Sequence, residues 1–217
     1  RVTLGHRLCR YQSRHVGSGA FARGLAAPRQ GYQPAAPYTR LMTPPGVEVR
    51  SARAADAGSV TRLLEGIYSE QDYFVGEAPA AASALAARIA ADDLSETLYL
   101  VAVCDGQVAG WLELHRSPAW RLQHVAVLTL AVAPSQRRRG VGRSLMRRSY
   151  DWCRRVGVLK VSLNVRAGNA AAMALYESEG FVVEGRERGQ VRLRRGRDEF
   201  EDNVIMGKWL GDAPPAG

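Results

Sequence analysis

The segment with the clearest chemical character is a glycine- and arginine-rich loop that runs from Val132 to Gly142. It lies between an apolar run and a helical pattern, where a helix N-terminus offers free backbone N–H groups and a positive dipole end to an anion. Gly140 and Gly142 lack the Cβ atoms that would keep phosphate oxygens from those groups, and Arg137–Arg139 add positive charge. The loop therefore predicts a pyrophosphate site, with a solvated basic turn as the alternative.

Two common phosphate-binding patterns do not fit this loop. A P-loop requires the G-x-x-x-x-G-K-[ST] spacing and its lysine, and neither occurs here. A G-x-G-x-x-G dinucleotide motif requires a third glycine, which is absent at that spacing. The sequence therefore excludes these two classes of nucleotide site.

A second informative segment follows about 30 residues later, from Leu163 to Phe181. Asn169 stands where a helix needs an N-cap, and asparagine is among the best residues there. Small residues at Ala170–Ala172 keep the start of the helix thin enough for a narrow ligand to pass beside it. Gly180 then ends the helix as a C-cap glycine.

Together, the two segments resemble the GNAT superfamily of N-acetyltransferases over roughly residues 47–210. Arg137-x-x-Gly140-x-Gly142 is similar to that family's [QR]-x-x-G-x-[GA] loop. The later segment fits the family's L-x-V-x-x-x-N-x-x-A-x-x-L-Y-x-x-x-G-F pattern. The matching positions are Leu163, Val165, Asn169, Ala172, Leu175, Tyr176, Gly180 and Phe181.

This resemblance implies a fold, a cosubstrate and a reaction. The fold would be α/β, with a GNAT-like mixed central sheet flanked by helices. The reaction would move an acetyl group from acetyl-CoA to an amine of a small molecule or protein by direct attack. The acetyl carbonyl would lie against a backbone N–H at a splay in the strand Val127–Val132, and we assign that donor to Leu130. The implied cofactor-binding residues are Leu130, Val132, Arg137, Arg138, Arg139, Gly140, Val141, Gly142, Arg143, Asn169 and Tyr176.

Two side chains are the candidates for acid–base chemistry. Tyr176 would protonate the departing thiolate, and its alternative is core packing with the hydroxyl at the surface. Glu113 would serve as the base, and its alternative is a solvent-facing strand residue. His115 shares one strand face with Glu113, and His124 precedes the next strand, so both are further candidates.

The acceptor pocket should come from the region of the first two helices. An aromatic and acidic cluster there suits a cationic amine through carboxylates and ring faces, and a plain polar loop is the alternative. Its members are Tyr68, Glu70, Asp72, Tyr73, Phe74 and Glu77. A non-catalytic acyl-CoA-binding regulatory module shares the pyrophosphate loop and is the alternative to an enzyme, although Tyr176 favours the enzyme.

Hydrophobic patterns predict the elements that position these residues. Alternating apolar and polar residues indicate strands, and apolar residues at i, i+3, i+4 spacing indicate helices. The dipeptide Asp105-Gly106 between apolar runs indicates a hairpin. Hairpins followed by strand–helix–strand units favour a mixed sheet. The predicted strands are Val47–Ser51, Thr97–Cys104, Val108–Leu114, Val125–Val132, Leu159–Val165, Phe181–Glu184 and Asn203–Leu210. The predicted helices lie around Val60–Ile67, at Pro79–Leu94, from Gly140 to Val156 and at Asn169–Ser178.

Composition limits the remaining function classes. The net charge is +9, but residues 1–41 hold seven arginines and no Asp or Glu, so residues 42–217 retain 23 basic against 21 acidic residues. The charge therefore belongs mainly to a tail, which argues against nucleic-acid binding by the folded domain. The apolar runs are too short to span a bilayer. Three dispersed cysteines predict neither a metal site nor disulfides, and they favour a reducing cytoplasm.

The domain division follows the same change in composition. Residues 1–46 are predicted to be a disordered Arg/Gly/Pro-rich extension, 47–210 the acetyltransferase domain and 211–217 a short tail. An Arg-rich targeting peptide, or a start at Met42, are alternatives for the extension. The acceptor, the acyl preference and the oligomeric state, a homodimer included, are left open by the sequence.

Overall fold

The computed structural model describes residues 44–70, 74, 78–91, 96–194 and 196–211. Most of the predicted extension and of the C-terminal tail lies outside these residues, so the domain division stays a prediction. Within them, no helix is long and apolar enough to cross a membrane.

Seven strands form one mixed sheet, as predicted. Its order is β1-β2-β3-β4-β5-β7-β6, and every neighbouring pair is antiparallel except β4 and β5. Asp105 and Gly106 both take positive φ values, 50° and 75°, as the predicted tight hairpin requires. The strands are β1 Val47–Ser51, β2 Thr97–Cys104, β3 Gln107–Arg116, β4 Val125–Val132, β5 Lys160–Arg166, β6 Val182–Arg192 and β7 Phe200–Trp209.

Four α-helices cover the two faces of the sheet. On one face, side chains of α1 and α2 pack with Tyr99, Val101 and Trp111 in a core of their own. On the other face, α3 and α4 pack against a larger core that includes Leu112 and Leu163. The helices are α1 Ala57–Ser69, α2 Ala82–Ala90, α3 Val141–Val156 and α4 Ala170–Ser178.

The ends of several predicted elements differ from the structure, and the differences are largest in the second helix and the sixth strand. The second helix begins at Ala82 rather than at Pro79, and it ends at Ala90. The strand predicted as Phe181–Glu184 extends to Arg192 and forms a hairpin with β7. It was predicted too short because it is the edge strand, in which Val191 is the one buried residue, so it has no alternating apolar pattern.

The feature that positions the site is an incomplete pairing between β4 and β5. These parallel strands pair only over Val125–Val127 and Lys160–Ser162. Beyond that point, β4 continues for five residues and β5 for four without pairing to each other. The sheet therefore splits into two halves within Val127–Val132, where the family resemblance implies a splay.

Candidate active site

The edge of β4 that faces this gap carries backbone donors. Ala133 donates its N–H to Ala109 O on the β3 side, at 2.8 Å. Because N–H directions alternate along a strand, the N–H groups of Leu128, Leu130 and Val132 point to the opposite edge, into the gap. His124 confirms this direction, since its carbonyl accepts from the segment at the start of β5. Leu130 thus has the orientation expected of a donor to an acyl oxygen.

The N-terminus of α3 provides a second set of donors beside the gap. Gly140 is the N-cap residue with φ 82°, and no side chain caps the helix. The first intrahelical bond runs from Ser144 N to Gly140 O at 3.0 Å, which leaves the N–H groups of Val141, Gly142 and Arg143 without acceptors among the described residues. This is the anion-binding arrangement that the loop predicts.

Gly140 is required for a backbone reason and for a packing reason. Its φ lies in the left-handed region, which costs other L-residues roughly 1–2 kcal/mol. A Cβ at this position would lie 3.0 Å from Cγ of Pro44, just ahead of β1. Pro44 also lines a surface cleft of about 360 Å³ beside the loop, together with Gln136 and Arg139.

The reason given for Gly142 from the sequence is wrong. A Cβ at Gly142 would point not at the anion site but at Leu175, Leu130 and Val132, at 3.1, 3.5 and 3.6 Å. Gly142 therefore allows α3 to approach α4 and β4 closely. Its contribution to an anion site is confined to its backbone N–H.

The arginines of the loop face different partners. Arg137 forms a bidentate ion pair with Glu70, at 2.8 and 2.9 Å, and also donates through Nε to Val132 O. Arg143 turns to Glu179, at 2.9 Å. Arg138 and Arg139 are exposed. Because Arg137 is paired with Glu70, these two arginines are the side chains of the loop that can add positive charge to an anion site.

Asn169 caps the N-terminus of α4 and Tyr176 lies within this helix, as the second motif predicts. Asn169 Oδ1 accepts the N–H of Ala172 at 3.1 Å, so its capping role is confirmed, and its amide nitrogen has no partner among the described residues. Tyr176 is 7% exposed and packs near Phe181 in the α3–α4 core, which also contains Leu128 and Leu163. Burial raises the pKa of Tyr176 to about 12.

The three candidate bases have different surroundings. Glu113 accepts a hydrogen bond from Arg88 on α2, at 2.7 Å, and pairs across strands with Thr129 beside the gap. His115 lies on the same face of β3, with Nδ1 3.3 Å from Thr97 Oγ1. His124 stacks on the Trp209 ring, with the ring centroids 6.2 Å apart. His115 pairs across strands with Val127, in the last β4–β5 pair, whereas Glu113 is the one of the three whose partner, Thr129, lies in the part of β4 that has separated from β5.

The aromatic and acidic cluster after α1 is partly described. Tyr68 and Phe74 stack with their ring centroids 4.9 Å apart, and Glu70 is held by Arg137. Asp72, Tyr73 and Glu77 lie outside the described residues. The acceptor pocket predicted from this cluster therefore stays a prediction.

One carboxylate near the site is buried, and no pattern in the sequence predicted its burial. Glu179 is 6% exposed and pairs with both Arg143 and Arg147. Its carbonyl accepts a hydrogen bond from Lys208 on β7. A glutamate at the end of an amphipathic helix resembles a surface residue, and only the packing of α3, α4 and β7 encloses it.

Comparison with known proteins agrees with this fold. The chain is 40% identical over 85 residues to the ribosomal protein bS18-alanine N-acetyltransferase of Escherichia coli strain K12, a match that spans 39% of the chain and 55% of that relative. It resembles the crystal structure of a ribosomal-protein-alanine N-acetyltransferase from Brucella melitensis, with a TM-score of 0.67 and 25% identity over 75% of this chain and 99% of that one.

A further structural relative was solved with its cosubstrate. This is a phosphinothricin acetyltransferase from Sinorhizobium meliloti in complex with acetyl-CoA, with a TM-score of 0.69 and 20% identity over 79% of this chain and 92% of that one. The model of the Acetyltransferase (GNAT) family matches residues 63–181, more than half of the chain. The chain therefore belongs to the GNAT family of acetyltransferases.

Proposed function

We propose that this protein transfers the acetyl group of acetyl-CoA to a primary amine. The observation that carries this proposal is the coincidence of two sets of backbone donors. One set lines the gap between β4 and β5, and the other heads α3 immediately after β4. A ligand with an acyl group at one end and phosphates at the other matches this arrangement.

Three parts of the chain would hold acetyl-CoA. The N–H groups of Val141, Gly142 and Arg143 would bind the pyrophosphate, with charge from Arg138 and Arg139. The edge of β4 would bind the pantetheine arm through Val132. Asn169, which follows β5, would add its amide nitrogen, for which the described residues supply no partner. The N–H of Leu130 would donate to the thioester oxygen, where negative charge develops during attack by the amine.

The chemistry requires a neutral amine and a stabilised thiolate. When bound, acetyl-CoA supplies a thioester carbon that a neutral amine attacks, with the sulfur leaving as thiolate. An α-amino group has a pKa near 7.7–8.0, so its deprotonation at pH 7 costs about 1 kcal/mol, against about 4.6 kcal/mol for a lysine side chain. Glu113, held by Arg88, is our candidate for the proton acceptor.

Tyr176 is our candidate for stabilising the thiolate. Burial keeps its phenol protonated, so the hydroxyl can donate to the CoA sulfur. Its pKa of about 12 is well above that of an ordinary thiol, near 8.5, so complete proton transfer would be uphill by roughly 5 kcal/mol. We therefore assign Tyr176 to hydrogen-bond donation, which precedes protonation of the thiolate from solvent.

We propose the α-amino group of an alanine-initiated polypeptide as the acceptor. The name of the E. coli relative supports this choice, as does the small deprotonation cost of such an amine. A small-molecule amine is the alternative acceptor.

The cytoplasm stays our predicted compartment, because Cys104 and Cys153 are buried free thiols. We also still predict that the protein does not bind nucleic acid.

The test is release of CoA thiol by the full chain. Acetyl-CoA is mixed with alanine-initiated peptide amides, with the same peptides blocked at the N-terminus, and with pools of amino acids, polyamines and aminoglycosides. Release that depends on a free peptide N-terminus supports the proposal, and release with another pool corrects the acceptor. If no pool is active while acetyl-CoA still raises the melting temperature, the non-catalytic acyl-CoA-binding module is favoured. If neither occurs, the proposed function is wrong.

A further inference from the structure

The sheet face that carries α1 and α2 continues past the gap onto β5, β7 and β6. Residues that pair across neighbouring strands point to the same face of a sheet. One such row of paired residues crosses this surface from β4 to β6, and it consists of Val127, Ser162, Gly207 and Val182. Val127 is 39% exposed and Val182 is 62% exposed. This part of the face is therefore open to solvent at the edge of the gap.

Further along the open face, polar side chains on β5, β7 and β6 are connected to one another. Asn164, the second residue beyond the last β4–β5 pair, lines the gap from the β5 side and pairs with Ile205. Asn203 pairs with Glu187 on β6. The Asn203 amide donates to Glu187 Oε2 at 2.7 Å and lies 3.4 Å from Asn164 Oδ1. The buried Asn203 amide thus holds the Glu187 carboxylate toward β7, which is the side of β6 on which the gap lies.

The carboxylates of this face differ in whether a basic side chain forms an ion pair with them. Glu184 pairs with Lys160 at 2.7 Å, and Glu201 pairs with Arg166 at 2.5 Å. Glu187 has no basic partner among the described residues. Its charge is therefore available to a ligand.

The carboxylate on the other side of the gap is less available. Glu113 lies on β3, and its carboxylate already accepts from Arg88 at 2.7 Å. A cationic ligand could bind Glu113 only in competition with this guanidinium. Glu187 can accept an ammonium group without displacing any described protein cation.

We propose that Glu187, positioned by Asn203, binds the protonated amine of the acceptor at the mouth of the gap. This inference rests on the proposed acetyl transfer to an amine. An α-amino group is mostly protonated at pH 7, and charge-assisted hydrogen bonds are stronger than neutral ones. The role of Glu187 is recognition of the cation, and the amine loses its proton before it attacks.

The test compares two variants, each of which replaces one glutamate of β6 with glutamine. Glu187→Gln keeps the shape of the side chain and an oxygen that accepts from Asn203, so the fold should be retained. Glu184→Gln removes the same charge from the same strand, where the carboxylate is already paired with Lys160. The acceptor is an alanine-initiated peptide amide whose one charge is its N-terminal ammonium.

The expected result is specific to Glu187 and to the peptide. In Glu187→Gln, we expect the KM for the peptide to rise about tenfold, while kcat and the KM for acetyl-CoA stay within about twofold. Glu184→Gln should leave all three values near wild type. The rise in KM should shrink as salt is added, because salt screens the attraction in the wild-type protein.

The other outcomes separate this inference from the proposed function. An unchanged peptide KM, or an equal rise in both variants, overturns the inference while wild-type turnover upholds the acetyl transfer. A fall in kcat with a shifted acidic limb of the pH profile would make Glu187 a base and also overturns the inference. If the wild-type protein releases no thiol with any amine, the proposed function fails and this inference fails with it.

Discussion

Arg137 and Glu70 join the proposed pyrophosphate loop to the end of α1 through two parallel hydrogen bonds, at 2.8 and 2.9 Å. Their side chains are 32% and 25% exposed, so solvent screens the pair only in part. The loop that would hold acetyl-CoA and the segment after α1, predicted to hold the acceptor, are therefore mechanically linked.

A double-mutant cycle measures the strength of this link. We expect Arg137→Ala and Glu70→Ala to show a coupling of about 1 kcal/mol in urea unfolding, because the pair is bidentate and half-buried. Arg148 and Asp151 form the control, an exposed pair on one helix at 3.3 Å, with a coupling of about 0.3 kcal/mol expected. Equal coupling in both pairs would contradict a link stronger than an ordinary surface ion pair.

Gly140→Ala tests the left-handed start of α3. We expect the change to reduce the free energy of unfolding by roughly 1–2 kcal/mol, since φ is 82° and Pro44 lies close. Acetyl-CoA affinity, measured by calorimetry, should fall as well. Gly66→Ala is the control, because no atom lies within 4 Å of the added Cβ in α1, and it should stabilise by up to about 1 kcal/mol. Unchanged stability and affinity in Gly140→Ala would refute the assignment of this residue.

Tyr176→Phe tests the proposed hydrogen bond to the departing thiolate. We expect thiol release to slow about 10- to 100-fold, with acetyl-CoA affinity near wild type, because the loss of one donor removes roughly 1.5–3 kcal/mol. Tyr150→Phe removes a phenol from the same core and should have little effect on turnover. Wild-type turnover in Tyr176→Phe would assign this residue to core packing alone.

The same residue predicts a loss of stability in alkali. Its folded-state pKa of about 12 exceeds the ordinary value of 10.0, so the folded protein holds a proton that the unfolded chain releases. Stability should therefore be intact below pH 10 and fall as the pH rises toward 12, by up to roughly 2.7 kcal/mol from this group. Urea unfolding between pH 9 and 11 should show a shallower fall in Tyr176→Phe. A residual slope is expected from Cys153, because burial raises its pKa to about 12 as well.

Glu179→Ala tests the buried carboxylate at the end of α4. We expect a loss of about 2 kcal/mol in the free energy of unfolding, since Arg143 and Arg147 lose a shared partner and a buried space opens. Glu177→Ala removes an exposed carboxylate from the same helix and should change stability by less than about 0.5 kcal/mol. Similar losses in the two variants would show that the burial of Glu179 contributes nothing to stability.

The sequence predicted features that depend on local backbone structure. The hairpin at Asp105-Gly106 and the N-cap at Asn169 follow from conformational preferences of single residues, and the structure contains both. The family resemblance also implied the splay after Val127.

What the sequence missed depends on contacts between distant segments. Spacing alone does not show that the missing Cβ of Gly142 would face Leu175. Nor does it pair Glu113 with Arg88, 25 residues away. Strand alternation would also misplace Glu187, because a register shift between Val183 and Gly185 brings Val182 and Glu187 to the same face, and it cannot show that Asn203 orients the Glu187 carboxylate. Such pairs form only when the register of the whole sheet is set.

The gap between β4 and β5 has a consequence for how this site tolerates substitution. The donors that face the gap at Leu128, Leu130 and Val132 belong to the main chain, so replacing these side chains leaves the donors in place. Only proline removes such a donor, since it has no backbone N–H. The capacity to polarise an acyl group therefore depends on the topology of the sheet and not on particular side chains. Chains that have diverged in almost every side chain here can retain it, as long as the two strands still part at this point.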